Sequence, residues 1–444
     1  MKITMPTAVE TAMSILTANG HEVFVVGGCV RDFLRGQQPN DWDLCTSAVP
    51  EETLKCFEGF NVIPTGLKHG TVTVVIQGTP LEITTFRVDG EYTDGRRPDN
   101  VTFTANITED LARRDFTVNA MAYNEASGLV DPFGGRSDLE KGIIRCVGNP
   151  EQRFKEDALR ILRGLRFAAR FGFSIEQNTA ETIKRLYPLL ENIAAERIFT
   201  ELCGFFKGEK VEPLLDEFAD VFCFLMPCLS ALRGMEQNHP YHLYDGYTHT
   251  IKAVQAAPPN EVLRFAALLH DTGKPLCKTT DEKGIDHFYG HPDESEKIAA
   301  DVMQRMRADN ETAHRVKQLV KLHDVRFPCN AKTVRRWLSR LGEKDLRDLW
   351  ALQRADRMAT RFTKEDFELL DNLQSCLDEV LRKHQCFSLK QLALNGKDLI
   401  ALGIPKGKQV GTVLNFLLDA VLEQPELNTK QTLTNMVLRD YLPK

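Results

Sequence analysis

Residues 25–48, VVGGCVRDFLRGQQPNDWDLCTSA, run from an apolar strand into two glycines, an arginine and then two aspartates one residue apart. Alternate residues of a strand face the same way, so this spacing predicts that the carboxylates of Asp41 and Asp43 share one face. Two carboxylates held together repel unless a cation lies between them. Mg²⁺ binds in this way, through one or two carboxylates together with substrate phosphates. In phosphoryl transfer two such ions, roughly 3.5–4 Å apart, clamp the attacking and leaving oxygens. Gly27 and Gly28 close the strand and open a helix near Val30. Lacking a Cβ, they let backbone amides approach a polyphosphate at a helix N-terminus. Arg31 adds a guanidinium fork for phosphate oxygens. Either half alone reads equally well as a glycine hairpin or a solvated acidic turn, but the combination points to a metal and nucleotide cradle. A P-loop is excluded, because no G-K-[ST] follows the glycines.

Around this stretch the chain alternates helix and strand. TAVETAMSILTANG has helical spacing, and WDLCTS, NVIPTG, TVTVVIQG and LEITTFRV read as strands separated by turn residues. From about residue 136 the strand signal fades and apolar residues recur at three and four. The expected fold is an α+β head followed by an all-α neck, body and tail. At 444 residues the chain exceeds a single ordinary core. Its 42% hydrophobic and 27% charged content is that of a globular protein, and no run of about 18 apolar residues spans a membrane. The N-terminus lacks the apolar block of a signal peptide. Eleven cysteines, an odd number with no C-x-x-C pair, point to reduced thiols and a cytoplasmic location. The net charge of −6 does not announce a nucleic-acid partner, although the placement of basic clusters matters more.

GGCVRD (27–32), DWDL (41–44), LEITTFR (81–87) and ARRDFTVNAMAYN (112–124) together resemble the class II tRNA nucleotidyltransferase and bacterial poly(A) polymerase family, within the DNA polymerase β-like nucleotidyltransferases. The resemblance is close over residues 20–205 and looser beyond. It implies that Asp41 and Asp43 hold catalytic Mg²⁺, with Glu82 as third carboxylate, and that Gly28, Arg31 and Arg114 hold the nucleotide. In EDALRILRGLRF (156–167), Asp157 and Arg160 are three apart, which puts them on one face of a continuous helix. A carboxylate beside a guanidinium complements the amino group and ring nitrogen that cytosine and adenine share, and mismatches guanine and uracil. Such a bidentate contact discriminates by about 1–3 kcal/mol. The pair resembles the family's base-selecting motif, with Arg163 and Arg166 as triphosphate or helix-packing arginines. DPFGG (131–135) reads as a flexible turn from head to body. YTDGRRPDN (92–100) resembles the flexible loop of members that add the terminal A. The resemblance implies addition of C, C and A from CTP and ATP to the tRNA 3′ end. The alternatives are A addition or poly(A) synthesis by the same family, and a phosphohydrolase whose head senses nucleotides.

Eight of the eleven histidines fall between residues 239 and 323. His249, His270 with Asp271, His291, His323 and Asp356 follow the order H…HD…H…H…D, which resembles the HD phosphohydrolase superfamily. Imidazole and carboxylate donors suit Ni, Mn or Mg better than a thiolate-bound zinc. The expected division is a nucleotidyltransferase head over 1–135, a helical neck over 136–225, an HD domain over 226–360 and a tRNA-binding helical tail over 361–444. In that tail Gly403, Gly407 and Gly411 lie among Lys406 and Lys408, equally a phosphate-backbone contact or a plain loop.

Overall fold

The computed structural model describes residues 3–64, 66–90, 100–361 and 363–442, apart from the side chain of residue 366. The chain forms two compact units: residues 1–227 with the short stretch 305–307, and residues 228–304 with 308–444. The order predicted from the sequence is the order observed, an α/β head followed by a mostly helical body.

In the first unit a seven-stranded mixed sheet has the order β3-β4-β5-β2-β1-β8-β9. Its strands are β1 (Val23–Val26), β2 (Asp43–Thr46), β3 (Asn61–Ile63), β4 (Thr71–Ile76), β5 (Thr79–Thr85), β8 (Ala122–Asn124) and β9 (Gly128–Val130). A separate antiparallel pair joins β6 (Arg87–Asp89) to β7 (Val101–Phe103). β1 is VFVV, buried at all four positions, so it forms the hydrophobic middle of the sheet. β4 instead alternates, burying Val72, Val74 and Ile76 and leaving the intervening side chains half-exposed, as a strand covered on one face does. α1 (Thr7–Ala18) buries Ala8, Val9, Ala12, Met13 and Leu16, a single stripe of its surface. α2 (Gly28–Leu34) follows β1 directly, and α3 (Pro50–Cys56), α4 (Ile107–Ala112) and α5 (Gly135–Lys141) complete the head.

The helices that follow are α6 (Pro150–Glu156), α7 (Leu159–Phe171), α8 (Gln177–Leu186), α9 (Ala195–Phe206), α10 (Glu212–Glu217) and α11 (Ala219–Leu225). α7 packs on α9 along small residues: a Cβ on Gly204 would lie 2.3 Å from Arg166 Cδ. The second unit contains α12 (Gly246–Ala256), α13 (Glu261–Leu269), α14 (Lys274–Cys277), α15 (His291–Arg305), α16 (Asn310–Leu322), α17 (Ala331–Met358) and α18 (Lys364–Arg382). It ends with α19 (Gly396–Ala401), α20 (Lys408–Glu423) and α21 (Lys430–Asp440), which enclose a core around Leu399, Leu417, Val421 and Leu433. No helix among the described residues is long and apolar enough to cross a membrane.

The turn DPFGG is not slack. Asp131 accepts hydrogen bonds from the backbone N–H groups of Gly135 (2.7 Å) and Arg136 (2.9 Å), and Gly134 is left-handed at φ 73°. Gly135 lies against the head backbone so closely that a Cβ would fall 2.1 Å from the Thr117 carbonyl oxygen. Two glycines in a row suggest freedom, whereas tertiary contact uses them here for close approach. Overpacking of a core typically costs about 1–3 kcal/mol, and backbone cannot move aside as a side chain can. Gly135→Ala is therefore expected to cost at least about 2 kcal/mol in urea denaturation, and Gly411→Ala, at a helical glycine with open space around it and no left-handed angle, less than that.

Candidate functional site

The ladder between β1 and β2 ends at the pair Val26–Asp43. Gly27 then leaves the strand at φ 73°, ψ −121°, and its N–H donates to the Met121 carbonyl at 3.0 Å. A Cβ at Gly27 would lie 2.9 Å from Nη1 of Arg114, so glycine is required both by the backbone angle and by the guanidinium beside it. Strand β2 begins at Asp43, and Asp41 lies in the segment leading into it. The expectation that both aspartates sit on one strand is thus corrected. The cause is Gly27, which turns β1 away and leaves the residues before Asp43 outside the ladder. The two carboxylates remain close enough to interact. The Asp43 carboxyl is pushed above its ordinary range, first by desolvation on the sheet side of an otherwise exposed side chain and further by the charge of Asp41, while Arg114 opposes the rise.

Glu82 enters through sheet register. β5 runs parallel to β2 with Asp43 opposite Glu82, so the two side chains leave the same face on strands about 4.8 Å apart. Asp41, Asp43 and Glu82 are all exposed. Three oxygen-donor carboxylates, one of them held above its normal pKa chiefly by desolvation, fit a hard divalent cation.

Arg114 is anchored from below. Asp110 on α4 is wholly buried, and its carboxylate accepts from Arg113 Nε (2.9 Å) and Nη2 (2.8 Å) and from Arg114 Nη2 (3.3 Å). Among the described residues Nε of Arg114 is buried without a hydrogen-bond partner, a donor left over beside the glycine turn. Sequence reasoning missed Asp110, although an acid three and four residues ahead of two arginines is a recognisable helical pairing. Arg31 differs from expectation. Only 5% exposed, it pairs with Asp32 (Nε–Oδ1 2.9 Å), donates to Asn119 Oδ1 and lies 4.9 Å from the Phe171 ring centre. Its fork is committed to packing beneath Gly28, and burial lowers its pKa.

The expected continuous helix through Asp157 and Arg160 is broken. Asp157 is extended (φ −145°, ψ 104°) between α6 and α7. Its Oδ1 accepts from the Leu159 N–H at 3.0 Å and its backbone carbonyl from the Arg160 N–H at 3.0 Å. Aspartate competes for backbone donors in this way at helix starts. The ion pairs of the two residues run to other partners: Asp157 to Arg197 (3.1 Å), and Arg160 to Glu156 (2.6 Å). Arg160 Nη2 also donates to the Arg113 carbonyl at 3.1 Å, which brings it to the segment carrying Arg114. Arg163 holds Asp115 through Nε (2.9 Å) and Nη2 (2.7 Å), and Arg166 pairs with Glu201 on α9 (2.5 Å). The stretch 92–100 falls outside the described residues except for Asn100.

In the second unit six side chains from five elements converge, His270 and Asp271 being consecutive at the end of α13. Nε2 of His249 lies 3.3 Å from His270 Nε2, 3.3 Å from Asp271 Oδ2 and 3.0 Å from Asp356 Oδ1. Nε2 of His291 lies 3.4 Å from the other oxygen of Asp271 and 3.1 Å from His323 Nε2. Two potential donor sets, His249–His270–Asp271 and Asp271–His291–His323, therefore share one aspartate. All four Nδ1 atoms face backbone carbonyls: Ala359 (3.2 Å), Ala267 (2.7 Å), Phe288 (2.8 Å) and Val320 (2.6 Å). A donating Nδ1–H leaves the Nε2 lone pair pointing inward, the arrangement that orients a metal-binding imidazole. Burial alone would depress His270, but the charges of Asp271 and Asp356 push it up to about 10. Desolvation and the charge of His270 hold His323 down to about 3. This donor set calls for positive charge and fits one or two divalent ions.

A mixed sheet with a glycine turn beside carboxylates on two parallel strands has the architecture of a nucleotidyltransferase head, a fold that uses divalent metal. The family described as "Poly A polymerase head domain" matches residues 23–145. Residues 172–229 match "Probable RNA and SrmB- binding site of polymerase A", and residues 279–437 match "tRNA nucleotidyltransferase domain 2". The CCA-adding enzyme of Oceanobacillus iheyensis is 46% identical over 209 residues, 47% of this chain and 52% of that protein. That of Bacillus cytotoxicus is 50% identical over 186 residues, 42% of this chain and 46% of that protein. The chain thus spans about half the length of the curated relatives it matches. A crystal structure of the Bacillus stearothermophilus CCA-adding enzyme in complex with CTP aligns over 98% of both chains, with TM-score 0.70 and 26% identity. Head and helical segments alike are thus similar to those of CCA-adding enzymes and poly(A) polymerases.

The contact between Arg163 and Asp115 generates a pH prediction. Desolvation would raise the buried Asp115 carboxyl, but the Arg163 charge and the Asn119 hydrogen bond outweigh it and lower it to about 2. A carboxyl depressed in the folded state stabilises the fold above its unfolded pKa. Acid titration of the wild type should therefore lose about 2 kcal/mol through this group between pH 4 and pH 2. Asp115→Asn should be less stable at pH 7 and should lose correspondingly less over the same acid window.

Proposed function

We propose that the chain adds C, C and A from CTP and ATP to the 3′ end of tRNA by Mg²⁺-dependent nucleotidyl transfer. The observation that carries the reading is the register pairing Asp43 with Glu82 beside Asp41 and the Gly27–Gly28 turn. Asp41, Asp43 and Glu82 would hold Mg²⁺, which supplies a clamp for the oxygens around the reacting phosphorus. The amide of Gly28 and the spare donor of Arg114 would receive the triphosphate, with Arg31 supporting the turn from beneath. Asp157 and Arg160 would present a carboxylate and a guanidinium to the shared edge of cytosine and adenine, released from Arg197 and Glu156. Arg163 and Arg166 would act by fixing α7. The proposed division is a head over 1–135, a neck over 136–225, an HD domain over 226–360 and a tRNA-binding tail over 361–444. Eleven free cysteines fit a reducing cytoplasm.

The test uses tRNAs ending before CCA, after C and after CC, each with one labelled nucleotide, resolved at single-base length. Stepwise C, C and A supports the reading; A addition to the CC-ended tRNA alone supports the A-adding alternative. Asp41→Ala and Asp43→Ala should each lower turnover more than tenfold with the unfolding midpoint retained, and turnover within tenfold of wild type would remove them from the site.

A second activity is supported by the convergent imidazoles of the second unit. His249, His270, Asp271, His291, His323 and Asp356 would hold Ni²⁺, Mn²⁺ or Mg²⁺ and support hydrolysis of a phosphoester. Asp271→Ala should abolish metal-dependent hydrolysis and metal retention by elemental analysis, while tRNA extension continues. Loss of both activities together would contradict two separate sites.

A further inference from the structure

The loop over residues 237–245 exposes three large side chains in close succession: Tyr241 (62%), Leu243 (48%) and Tyr244 (38%). Its position explains why. At one end Gln237 Oε1 accepts from Lys274 Nζ at 2.9 Å, and that ammonium lies 2.7 Å from Asp271 Oδ2. At the other end Asp245 caps α12, the helix of His249, by accepting from the Thr248 N–H at 2.7 Å. Midway, the Tyr241 carbonyl accepts from the Arg361 N–H at 2.9 Å, just past the end of α17 that carries Asp356. The side chain of Asp356 is 29% exposed, whereas those of His249, His270 and Asp271 are 1–2% exposed. The loop therefore borders the side on which the cluster opens.

Rings lead inward along it. Tyr241 lies 5.2 Å from His239 between ring centres, His239 lies 5.8 Å from His242, and His242 lies 5.8 Å from the ligand candidate His249. Nδ1 of His242 is buried with no hydrogen-bond partner among the described residues, a polar atom beside this path. Lys274, a fixed cation, stands at the inner end. Planar faces outside and positive charge inside match one chemistry, a nucleobase joined through its sugar to a phosphoryl group. Base–aromatic stacking tolerates every base, because each has a π-face.

We propose that this loop is a base-stacking rim of the second centre, with Tyr241 receiving the nucleobase of its substrate. The proposal rests on the phosphohydrolase reading of that centre. In the reaction a water oxygen bonds to phosphorus, the phosphorus–oxygen bond to the sugar breaks, and the released hydroxyl takes a proton from the water.

The test uses the full chain loaded with Ni²⁺ or Mn²⁺ and three substrates: glycerol phosphate, adenosine 3′-monophosphate and a trinucleotide carrying a 3′-phosphate. Stacking worth about 1–3 kcal/mol per base corresponds to a fivefold or greater change. Tyr241→Ala should raise KM for a base-bearing substrate at least fivefold and lower its kcat/KM relative to glycerol phosphate by the same factor, while Tyr241→Phe should restore both. An effect confined to the trinucleotide identifies a polynucleotide end, and an equal effect on the mononucleotide identifies a free nucleotide; either supports the rim. Hydrolysis of all three substrates with that ratio unchanged in Tyr241→Ala overturns the rim alone. Wild-type protein that retains no metal and hydrolyses none of them overturns the phosphohydrolase reading, and the rim with it.

Discussion

The parallel pairing of β2 with β5 is the constraint on which the head depends. Parallel neighbours put matched residues on the same face, so the register that sets Asp43 opposite Glu82 also fixes a carboxylate pair at one strand spacing. A slip of one residue would turn Glu82 to the opposite face and bring Leu81 or Ile83, both now buried, out beside Asp43. Burial of the alternate residues thus enforces the register. The same packing that stabilises the sheet keeps two carboxylates together on one face, where a cation can join them.

Around this pair the basic residues follow a division of labour. Asp110 and Asp115, both buried, neutralise arginines that would otherwise be costly to bury, and the pairing fixes where those guanidiniums point. Arg114 is left with an unused donor beside Gly27, while Arg31, Arg163 and Arg166 are committed to neighbouring carboxylates and rings. Removing one partner of such a pair strands a buried charge, so these contacts fix geometry more than they add net stability. In the second unit, backbone carbonyls at Nδ1 do the comparable work for four histidines.

What was legible in the sequence was what depends on local pattern. Strand alternation in TVTVVI, the glycine turn and the H…HD…H…H…D order all survive in the structure, because period, turn chemistry and ligand type are properties of neighbouring residues. Three readings failed for one reason: a tertiary or capping partner won over the local signal. Asp157 caps α7 instead of continuing a helix, DPFGG is pressed against Thr117, and the Arg31 fork is taken by Asp32 and Asn119. Asp110 and the loop around Tyr241 were overlooked, since neither looks unusual until the groups beside it are known.

The central claim is that Asp41, Asp43 and Glu82 form a metal site completed by a nucleotide triphosphate. Electron paramagnetic resonance of Mn²⁺, titrated into the full chain with and without CTP, tests it most directly. The titrations are made in an Asp271→Ala background, which removes the ions of the second unit, and a protein-free Mn²⁺–CTP titration is subtracted, so the difference reports the head. The account predicts additional tightly bound Mn²⁺ that requires CTP and is absent from Asp43→Ala under the same conditions. A CTP-dependent signal of the same size in Asp43→Ala, or no CTP dependence in the wild type, would contradict it.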